Sequence, residues 1–288
     1  MPFSLSAFAR IGRSFATHPL TREARMAAWS RFLLWQVRSR LQSEVVWPWV
    51  GGQRLAVRRG MTGATGNVYL GLHEWVDMLL VLHFLREGDL FFDIGANVGS
   101  YTILASGVRG ARTWAFEPDP ATARLMRRNI ALNGLEGKVR VFERALGASE
   151  GEVGFTIGLD TVNHVVQSGH AAVRRVAQSR LDDVAGGSCP ILLKMDVEGY
   201  EDEVLKGAHR LLADPVLRVM LVETVSPDAE ARFAAHGFVR VHYDPLSRTL
   251  QETPTAEPAS NALFVRDAAE VQARLRWAPP VRVLGRAF

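Results

Sequence analysis

The sequence predicts an α/β fold of the Rossmann-like type, with a mainly parallel sheet of seven strands and an antiparallel last strand. Beyond Leu90, short apolar runs that suit buried strands alternate with segments of helical apolar spacing, and strands joined through helices pair in parallel. The last two runs have no long helix between them, which favours an antiparallel closing pair. The predicted strands are Leu90–Asp93, Thr113–Glu117, Val139–Glu143, Ile191–Met195, Arg218–Glu223, Phe238–Tyr243 and Asn261–Val265.

The sequence divides into three predicted parts: an N-terminal extension (residues 1–85), an α/β domain (86–268) and a C-terminal tail (269–288). In the extension, helical spacing predicts helix within residues 1–45, with Thr21 as a cap. Apolar runs broken by glycines predict strands and turns from Val45 to Tyr69, and His73–Leu85 returns to helical spacing.

Two further features of the α/β domain are predicted from its spacing. Asn133-Gly134 closes a helix over Pro120–Leu132, and Glu201–Leu212 carries its apolar residues on one face of a single helix. Residues 147–180 form an inserted segment, in which Glu152–Ile157 and His164–Val166 resemble a hairpin or loop.

Charge is unevenly distributed along the chain. The net charge is +4, yet residues 1–60 contain ten arginines and only two glutamates, a net charge of +8. This favours either an anionic partner or a solvated arginine-rich surface. No zinc spacing or RNA-binding aromatic motif is present, so we expect no nucleic-acid partner. The single cysteine, the lack of a signal-peptide pattern and the lack of a long apolar run predict a cytoplasmic protein.

The first predicted strand of the α/β domain ends in a carboxylate and a glycine-containing turn. Asp93 is followed by Gly95-Ala96-Asn97-Val98-Gly99, and ligands of parallel sheets bind at the carboxyl ends of central strands. A second acid, Glu117, ends the next strand and suits hydrogen bonds to ribose hydroxyls. The alternative is a purely structural tight turn. A nicotinamide cofactor is disfavoured, because Asn97 stands where the second glycine of G-x-G-x-x-G belongs.

Five motifs together resemble the FkbM family of methyltransferases over about residues 88–265. They are Asp-Ile-Gly-Ala-Asn-Val-Gly at 93–99, Phe-Glu-Pro at 116–118, Asn133-Gly134, Ala145-Leu146-Gly147 and Lys-Met-Asp-Val-Glu-Gly-Tyr-Glu at 194–201.

The resemblance implies a class I methyltransferase fold, S-adenosylmethionine as cofactor and methyl transfer to oxygen, often a sugar or polyketide hydroxyl. It further implies a role for each matching residue. Asp93, Gly95, Asn97 and Gly99 would surround the amino-acid half of the cofactor, Glu117 would hold its ribose, and the region around Arg144 and Ala145 would border its adenine.

Candidate catalytic residues follow the fourth and fifth strands. Lys194 and Asp196 fall on the same side of a strand by alternation, and a methyl acceptor hydroxyl needs a base to take its proton. We therefore expect Asp196 or Glu198 to be the base and the other to orient the acceptor, with Lys194 beside them and Glu223 as a secondary candidate. The alternatives are that Glu198 and Gly199 cap the next helix and that Lys194 pairs with an acid.

His164 in the inserted segment is a further candidate base. Together with Asp160 and the acids at 196 and 198 it offers cation ligands, but the spacing matches no strong metal motif, so no metal is predicted. The absence of G-x-S-x-G disfavours a serine hydrolase.

The sequence thus predicts an O-methyltransferase acting on a hydroxyl of a sugar, glycan or secondary metabolite. The alternatives are a nicotinamide-dependent oxidoreductase and a non-catalytic S-adenosylmethionine-binding module at an anionic surface. Expected partners are the hydroxyl acceptor, a weak membrane-surface contact through the basic N-terminus, and a second copy in a homodimer.

Overall fold

The computed structural model describes residues 5–156, 165–166, 173–252 and 261–288. Its α-helices are α1 (Leu5–Thr17), α2 (Arg25–Leu41), α3 (Thr62–Leu70), α4 (Trp75–Phe84), α5 (Ser100–Ile103), α6 (Pro120–Leu132), α7 (Leu181–Ala185), α8 (Glu201–Lys206), α9 (His209–Ala213), α10 (Pro227–Ala235) and α11 (Ala268–Arg276). Within these described ranges, each helix is too short or too polar to cross a membrane.

The strands build four sheets. They are β1 (Val45–Pro48), β2 (Arg54–Val57), β3 (Leu90–Ile94), β4 (Arg112–Phe116), β5 (Val139–Phe142), β6 (Ala145–Leu146), β7 (Gly151–Thr156), β8 (Val165–Val166), β9 (Val173–Ser179), β10 (Leu192–Met195), β11 (Val219–Val222), β12 (Val239–Asp244), β13 (Thr249–Gln251), β14 (Ala262–Val265), β15 (Arg282–Val283) and β16 (Arg286–Ala287).

The main sheet has the strand order β13-β12-β14-β11-β10-β3-β4-β5. Strands β11, β10, β3, β4 and β5 pair in parallel, and β14 lies antiparallel between β11 and β12. The prediction of an α/β fold built on a large sheet is therefore confirmed, but the predicted count of seven strands is wrong for the described residues, which form eight. The additional strand β13 arises because Asp244 accepts hydrogen bonds from Leu246 N and Ser247 Oγ, closing a turn that returns the chain along β12.

Both faces of the sheet are buried, as expected for strands covered by helices on two sides. Phe91 and Phe92 are neighbours in β3, are both fully buried and belong to two different apolar clusters. The first cluster includes Leu79 of α4 and Leu275 of α11, and the second includes Phe233 of α10. Residues 269–288 therefore contribute a packed helix and the β15–β16 hairpin, whose Val283 is also buried.

The N-terminal extension differs from its prediction in two places. Thr21 caps no helix: its hydroxyl donates to the Phe15 carbonyl in the turn between α1 and α2. Residues 45–57 form the predicted strands, but Thr62–Leu70 is helix α3, despite its glycines. Tertiary packing outweighs the low helix propensity of glycine there, because Ala64 and Val68 of α3 pack in one cluster with Trp35 of α2.

Asn129 of α6 and Asn133, the residue directly after this helix, attach the β1–β2 hairpin to the α/β domain. Asn133 accepts from Arg54 N and donates to Arg54 O, and Asn129 Oδ1 accepts from Ala56 N. The amide of Asn129 also donates to the carbonyl of Val98. Strand β2, helix α6 and the turn after β3 are thereby held together. The predicted end of α6 at Asn133-Gly134 agrees with the structure.

The predicted helix over Glu201–Leu212 is wrong, since the structure has two short helices, α8 and α9, that separate at Gly207. A Cβ on Gly207 would lie 2.2 Å from the carbonyl oxygen of Gly147, and the Gly207 carbonyl accepts from Asp182 N. The inserted segment contains the antiparallel pair β7–β8, together with β9. Asp160 and His164 lie outside the described residues.

Candidate active site

A cavity of about 290 Å³ opens at the carboxyl ends of β3, β4, β10 and β11. Eight of the nine predicted site residues line it: Asp93, Gly95, Asn97, Glu117, Ala145, Lys194, Asp196 and Glu198. The parallel register of the central strands brings their ends to this one edge. Their individual roles stay predictions.

The turn after β3 is folded against the end of β10. Gly95 N and Ala96 N both donate to the carbonyl of Phe116, and a Cβ on Gly95 would lie 1.8 Å from the carbonyl oxygen of Asp196. Gly95 also has a φ of 75°, which favours glycine. Gly95 therefore permits the close contact between two strand ends, and its predicted place beside the amino-acid half of the cofactor stays a prediction.

Gly99 does not line the cavity, in contrast to its predicted place in the site. It has a φ of 87°, begins α5, and a Cβ there would lie 3.0 Å from Cγ of Met126. Gly99 therefore lets α5 pack closely on α6. Asn97 does face the cavity; its φ is 52°, and its side-chain oxygen accepts from Val98 N, a local bond that helps asparagine adopt this conformation.

Glu117 is held by backbone donors on both carboxylate oxygens. Oε2 accepts from Asn97 N at 3.0 Å and Oε1 accepts from Asp119 N at 2.9 Å. Burial raises the pKa of Glu117 to about 7, although these two bonds oppose the shift. Each carboxylate oxygen has about two acceptor positions, so one on each oxygen remains for hydroxyl donors of a ligand.

Lys194 lies at the centre of a buried charged cluster. Its Nζ donates to Asp196 Oδ2 at 2.7 Å and lies 4.7 Å from the ring centroid of Tyr101, and its side chain is only 3% exposed. Burial by itself lowers the pKa of Lys194, but the charges of Asp196, Glu74 and Asp93 outweigh it and leave the pKa raised. Lys194 is therefore a cation paired with an acid, which is the alternative that the sequence left open for it.

Asp93 points into the same cluster. It is 1% exposed and accepts from the hydroxyl of Thr102 at 2.6 Å, and it pairs in register with Lys194 on the adjacent strand. Burial raises its pKa, and Lys194 opposes the shift. Asp93 thus has protein partners as well as a place in the cavity wall.

Three acids meet at the ends of β10 and β11: one ligand oxygen from each of Asp196, Glu198 and Glu223 lies within 4.8 Å of the others. Burial and a hydrogen bond with Asp196 raise the pKa of Glu223 to about 8. Burial acts on Asp196 in the same direction, but Lys194 outweighs it and lowers the pKa of Asp196. The proton of this pair therefore resides on Glu223 in preference to Asp196. The three oxygens are close enough to share a cation, and the prediction of no metal remains to be tested.

Part of the cavity wall comes from residues that the sequence argument did not select. Asn67 of α3 donates to Ser100 Oγ at 3.1 Å and accepts from His73 N at 2.8 Å, and Met61, Glu74 and Tyr101 also line the cavity. Tyr101 follows the turn after β3, but Met61, Asn67 and Glu74 are distant from the strand ends in sequence. The place of these three residues depends on the packing of α3 and α4 against the domain, which no local motif encodes.

The strand order, the acid at each of two neighbouring strand ends and the turn between them define a methyltransferase-like α/β domain. The family model of the methyltransferase FkbM domain matches residues 93–243, and the chain belongs to that family.

Two relatives share moderate sequence identity with the chain. Hexuronic acid methyltransferase AglP of Haloferax volcanii is 30% identical over 136 residues, 46% of this chain and 55% of that protein. Methyltransferase sdnD of Sordaria araneosa is 27% identical over 198 residues, 54% of this chain and 75% of that protein. The chain thus spans about half the length of the first relative.

Solved structures match more distantly. A methyltransferase FkbM from Methylobacillus flagellatus KT gives a TM-score of 0.44 at 15% identity, covering 70% of this chain and 52% of that chain. A precorrin-6y C5,15-methyltransferase from Geobacter metallireducens GS-15 gives 0.41 at 15% identity, covering 73% and 92%. At these scores the fold assignment rests on the strand order of this chain.

We expect Lys194→Met to lower the free energy of unfolding by about 3 kcal/mol, because it leaves buried acids without their cation. Urea unfolding measures this change. Lys206→Met is the matched control: Lys206 pairs with Glu203 on the surface, where an ion pair contributes little, and it should unfold like the unmodified chain. Equal stability of Lys194→Met and Lys206→Met would contradict the structural role of Lys194.

Proposed function

We propose that this protein is an S-adenosylmethionine-dependent O-methyltransferase that acts on a hydroxyl of a sugar, glycan or secondary metabolite. The observation that carries the proposal is the cavity between Glu117 on one side and the cluster of Lys194, Asp196 and Glu223 on the other. A hydrogen-bond acceptor for ribose hydroxyls and a base for the hydroxyl of the methyl acceptor would thus line one cavity. Two relatives named as methyltransferases support methyl transfer.

The residues present fit the proposed cofactor. Glu117 retains one acceptor position on each oxygen, which suits two ribose hydroxyls. Ala145, Leu146 and Phe155 give part of the wall an apolar surface, which suits an adenine ring. Glu198 gives the opposite side negative charge, which suits the cationic sulfur and the amino group.

When bound, the cofactor supplies a methyl group that is already activated by a positively charged sulfur. The protein must then align the acceptor hydroxyl and accept its proton. Asp196 is the proposed base, because Lys194 keeps it ionised and its carboxylate faces the cavity. During methyl transfer to the acceptor oxygen, the hydroxyl proton would pass to Asp196.

Glu198 and Glu223 flank this base. Glu223 is hydrogen-bonded to Asp196 and has its pKa raised where that of Asp196 is lowered, so it holds the proton of the pair and orients the Asp196 carboxylate. Glu198 stands at the exposed side of the cluster with a φ of 53°, a backbone conformation that is costly for a side chain other than glycine or asparagine. We assign Glu198 to orientation of the acceptor.

The proposal predicts opposite effects for two variants. Glu117→Ala should weaken S-adenosylmethionine binding by at least about tenfold, since it removes a charge-assisted acceptor of hydroxyl donors. Asp196→Asn should leave that affinity nearly unchanged and lower the formation of S-adenosylhomocysteine by about a hundredfold or more. Calorimetry measures the first effect, and product formation with a panel of hydroxylated sugars and polyketides measures the second.

Glu143→Ala is the matched control for Glu117→Ala. Glu143 follows the neighbouring strand β5 but pairs with Arg127 at the surface and does not line the cavity, so its loss should leave affinity unchanged. Equal affinity of Glu117→Ala and Glu143→Ala would refute the placement of the cofactor. Cofactor binding without product formation on any acceptor of the panel would favour a non-catalytic binding protein.

A further inference from the structure

We propose that a second cavity takes the methyl acceptor and selects acceptors without negative charge, such as neutral or amino sugars. This inference rests on the proposed methyl transfer. The cavity has a volume of about 900 Å³ and lies between the start of α4 and the strands β12 and β14. His73, Glu74 and Glu223 line both cavities, so the second one opens beside the proposed base.

The charge of the second cavity is predominantly negative. Glu74, Asp77 and Asp244 line it together with Glu223, whose raised pKa favours its neutral form, and Arg240 is its one arginine or lysine among the described residues. The guanidinium of Arg240 lies 3.6 Å from Glu230, and Lys194 of the adjoining cavity pairs with Asp196. Both nearby cations therefore have acidic partners already, and a carboxylate on the acceptor would meet like charge.

The wall also offers acceptors for hydroxyl or amino donors. Asn261 is 3% exposed and donates to Asp77 at 2.7 Å, while its own side-chain oxygen has no hydrogen-bond partner in the described part of the chain. A buried unpaired acceptor is costly and suits a donor from a ligand. Trp75 adds an aromatic side chain to the wall, as expected for a pocket that holds a sugar ring by its apolar face.

The charge of the acceptor is tested with three matched probes: methyl glucoside, methyl glucosaminide and methyl glucuronide. Saturation-transfer NMR on the full chain with S-adenosylhomocysteine should detect the first two, and the glucuronide should bind about tenfold more weakly because of like charges in the cavity. Asp244→Asn should strengthen glucuronide binding several-fold. Glu87→Gln, an exposed acid outside both cavities, should leave all three affinities unchanged.

Glucuronide binding as strong as glucoside binding would overturn this inference, as would the absence of saturation transfer for all three probes. A calorimetric titration with S-adenosylmethionine distinguishes a failure of the acceptor assignment from a failure of the proposed function. Retained cofactor binding with either result refutes only the acceptor assignment, whereas absent cofactor binding refutes the proposed function itself.

A separate observation concerns the outer face of α2, from which we infer a docking surface for an anionic lipid membrane. Five of the twelve large apolar side chains that the described residues expose lie on this one helix: Met26, Leu33, Leu34, Val37 and Leu41. At 3.6 residues per turn they fall within an arc of about 100°. The buried residues Ala28, Phe32, Trp35 and Ser39 lie on the opposite side, so the apolar arc faces outward.

The charge around this arc suits an anionic surface. Helix α2 contains Arg25, Arg31, Arg38 and Arg40 and no acid, and α1 contributes Arg10 and Arg13, also without an acid. An exposed apolar stripe flanked by arginines is typical of helices that lie in a membrane interface. A second copy bound through the same face would bring two sets of these arginines together, which disfavours a homodimer there.

Vesicle flotation tests the membrane contact. The full chain should float with vesicles of phosphatidylcholine and phosphatidylglycerol, less with phosphatidylcholine alone, and less at high salt. Leu34→Ser combined with Leu41→Ser should lower the bound fraction at least about tenfold. Leu246→Ser, an exposed leucine in the turn before β13, is the control and should change nothing.

No flotation, or equal flotation of the double variant and its control, would overturn the membrane assignment. Light scattering supplies the other decisive result: a dimer that the double variant converts to a monomer would assign the face to a second copy of the chain.

Discussion

The buried ammonium of Lys194 is the feature on which the centre of this protein depends. It lies on a central strand with 3% of its side chain exposed, where an unpaired charge would be strongly unfavourable. Asp93 on the adjacent strand and Asp196 at the end of its own strand supply the opposite charge. Because these partners must be close, the ends of β3 and β10 are drawn together, and Gly95 is required where their backbones meet.

The charged cluster also gives two neighbouring acids different proton affinities. Lys194 lowers the pKa of Asp196, while burial and Asp196 raise the pKa of Glu223 on the next strand. Such pairs of acids with separated pKa values are common at functional sites. Glu117, two strands away on the other side, is held by backbone donors in the wall of the same cavity. The N-terminal extension supplies part of that wall, because α3 lines the first cavity and α4 lines both.

Much of the fold and of the site could be predicted from local patterns. Apolar residues recur with a period of 2 in strands and of 3.6 in helices, which locates the elements in the sequence. Because the carboxyl ends of neighbouring parallel strands meet at one edge of the sheet, Asp93, Glu117 and Asp196 could be assigned to one site. The predictions that failed concern contacts between segments that are distant in sequence. Gly207 interrupts a helical pattern because of the Gly147 carbonyl, and α3 forms by packing on α2. Glu74 and Asn67 belong to the cavity only through the docking of the extension.

The central claim is that the cavity at the strand ends binds a cationic methyl donor and not a dinucleotide. The most direct measurement is a pair of calorimetric titrations of the full chain, one with S-adenosylmethionine and one with NAD under the same conditions. The account predicts saturable binding of one S-adenosylmethionine per chain and no heat of binding for NAD. Saturable binding of NAD together with no binding of S-adenosylmethionine would contradict it.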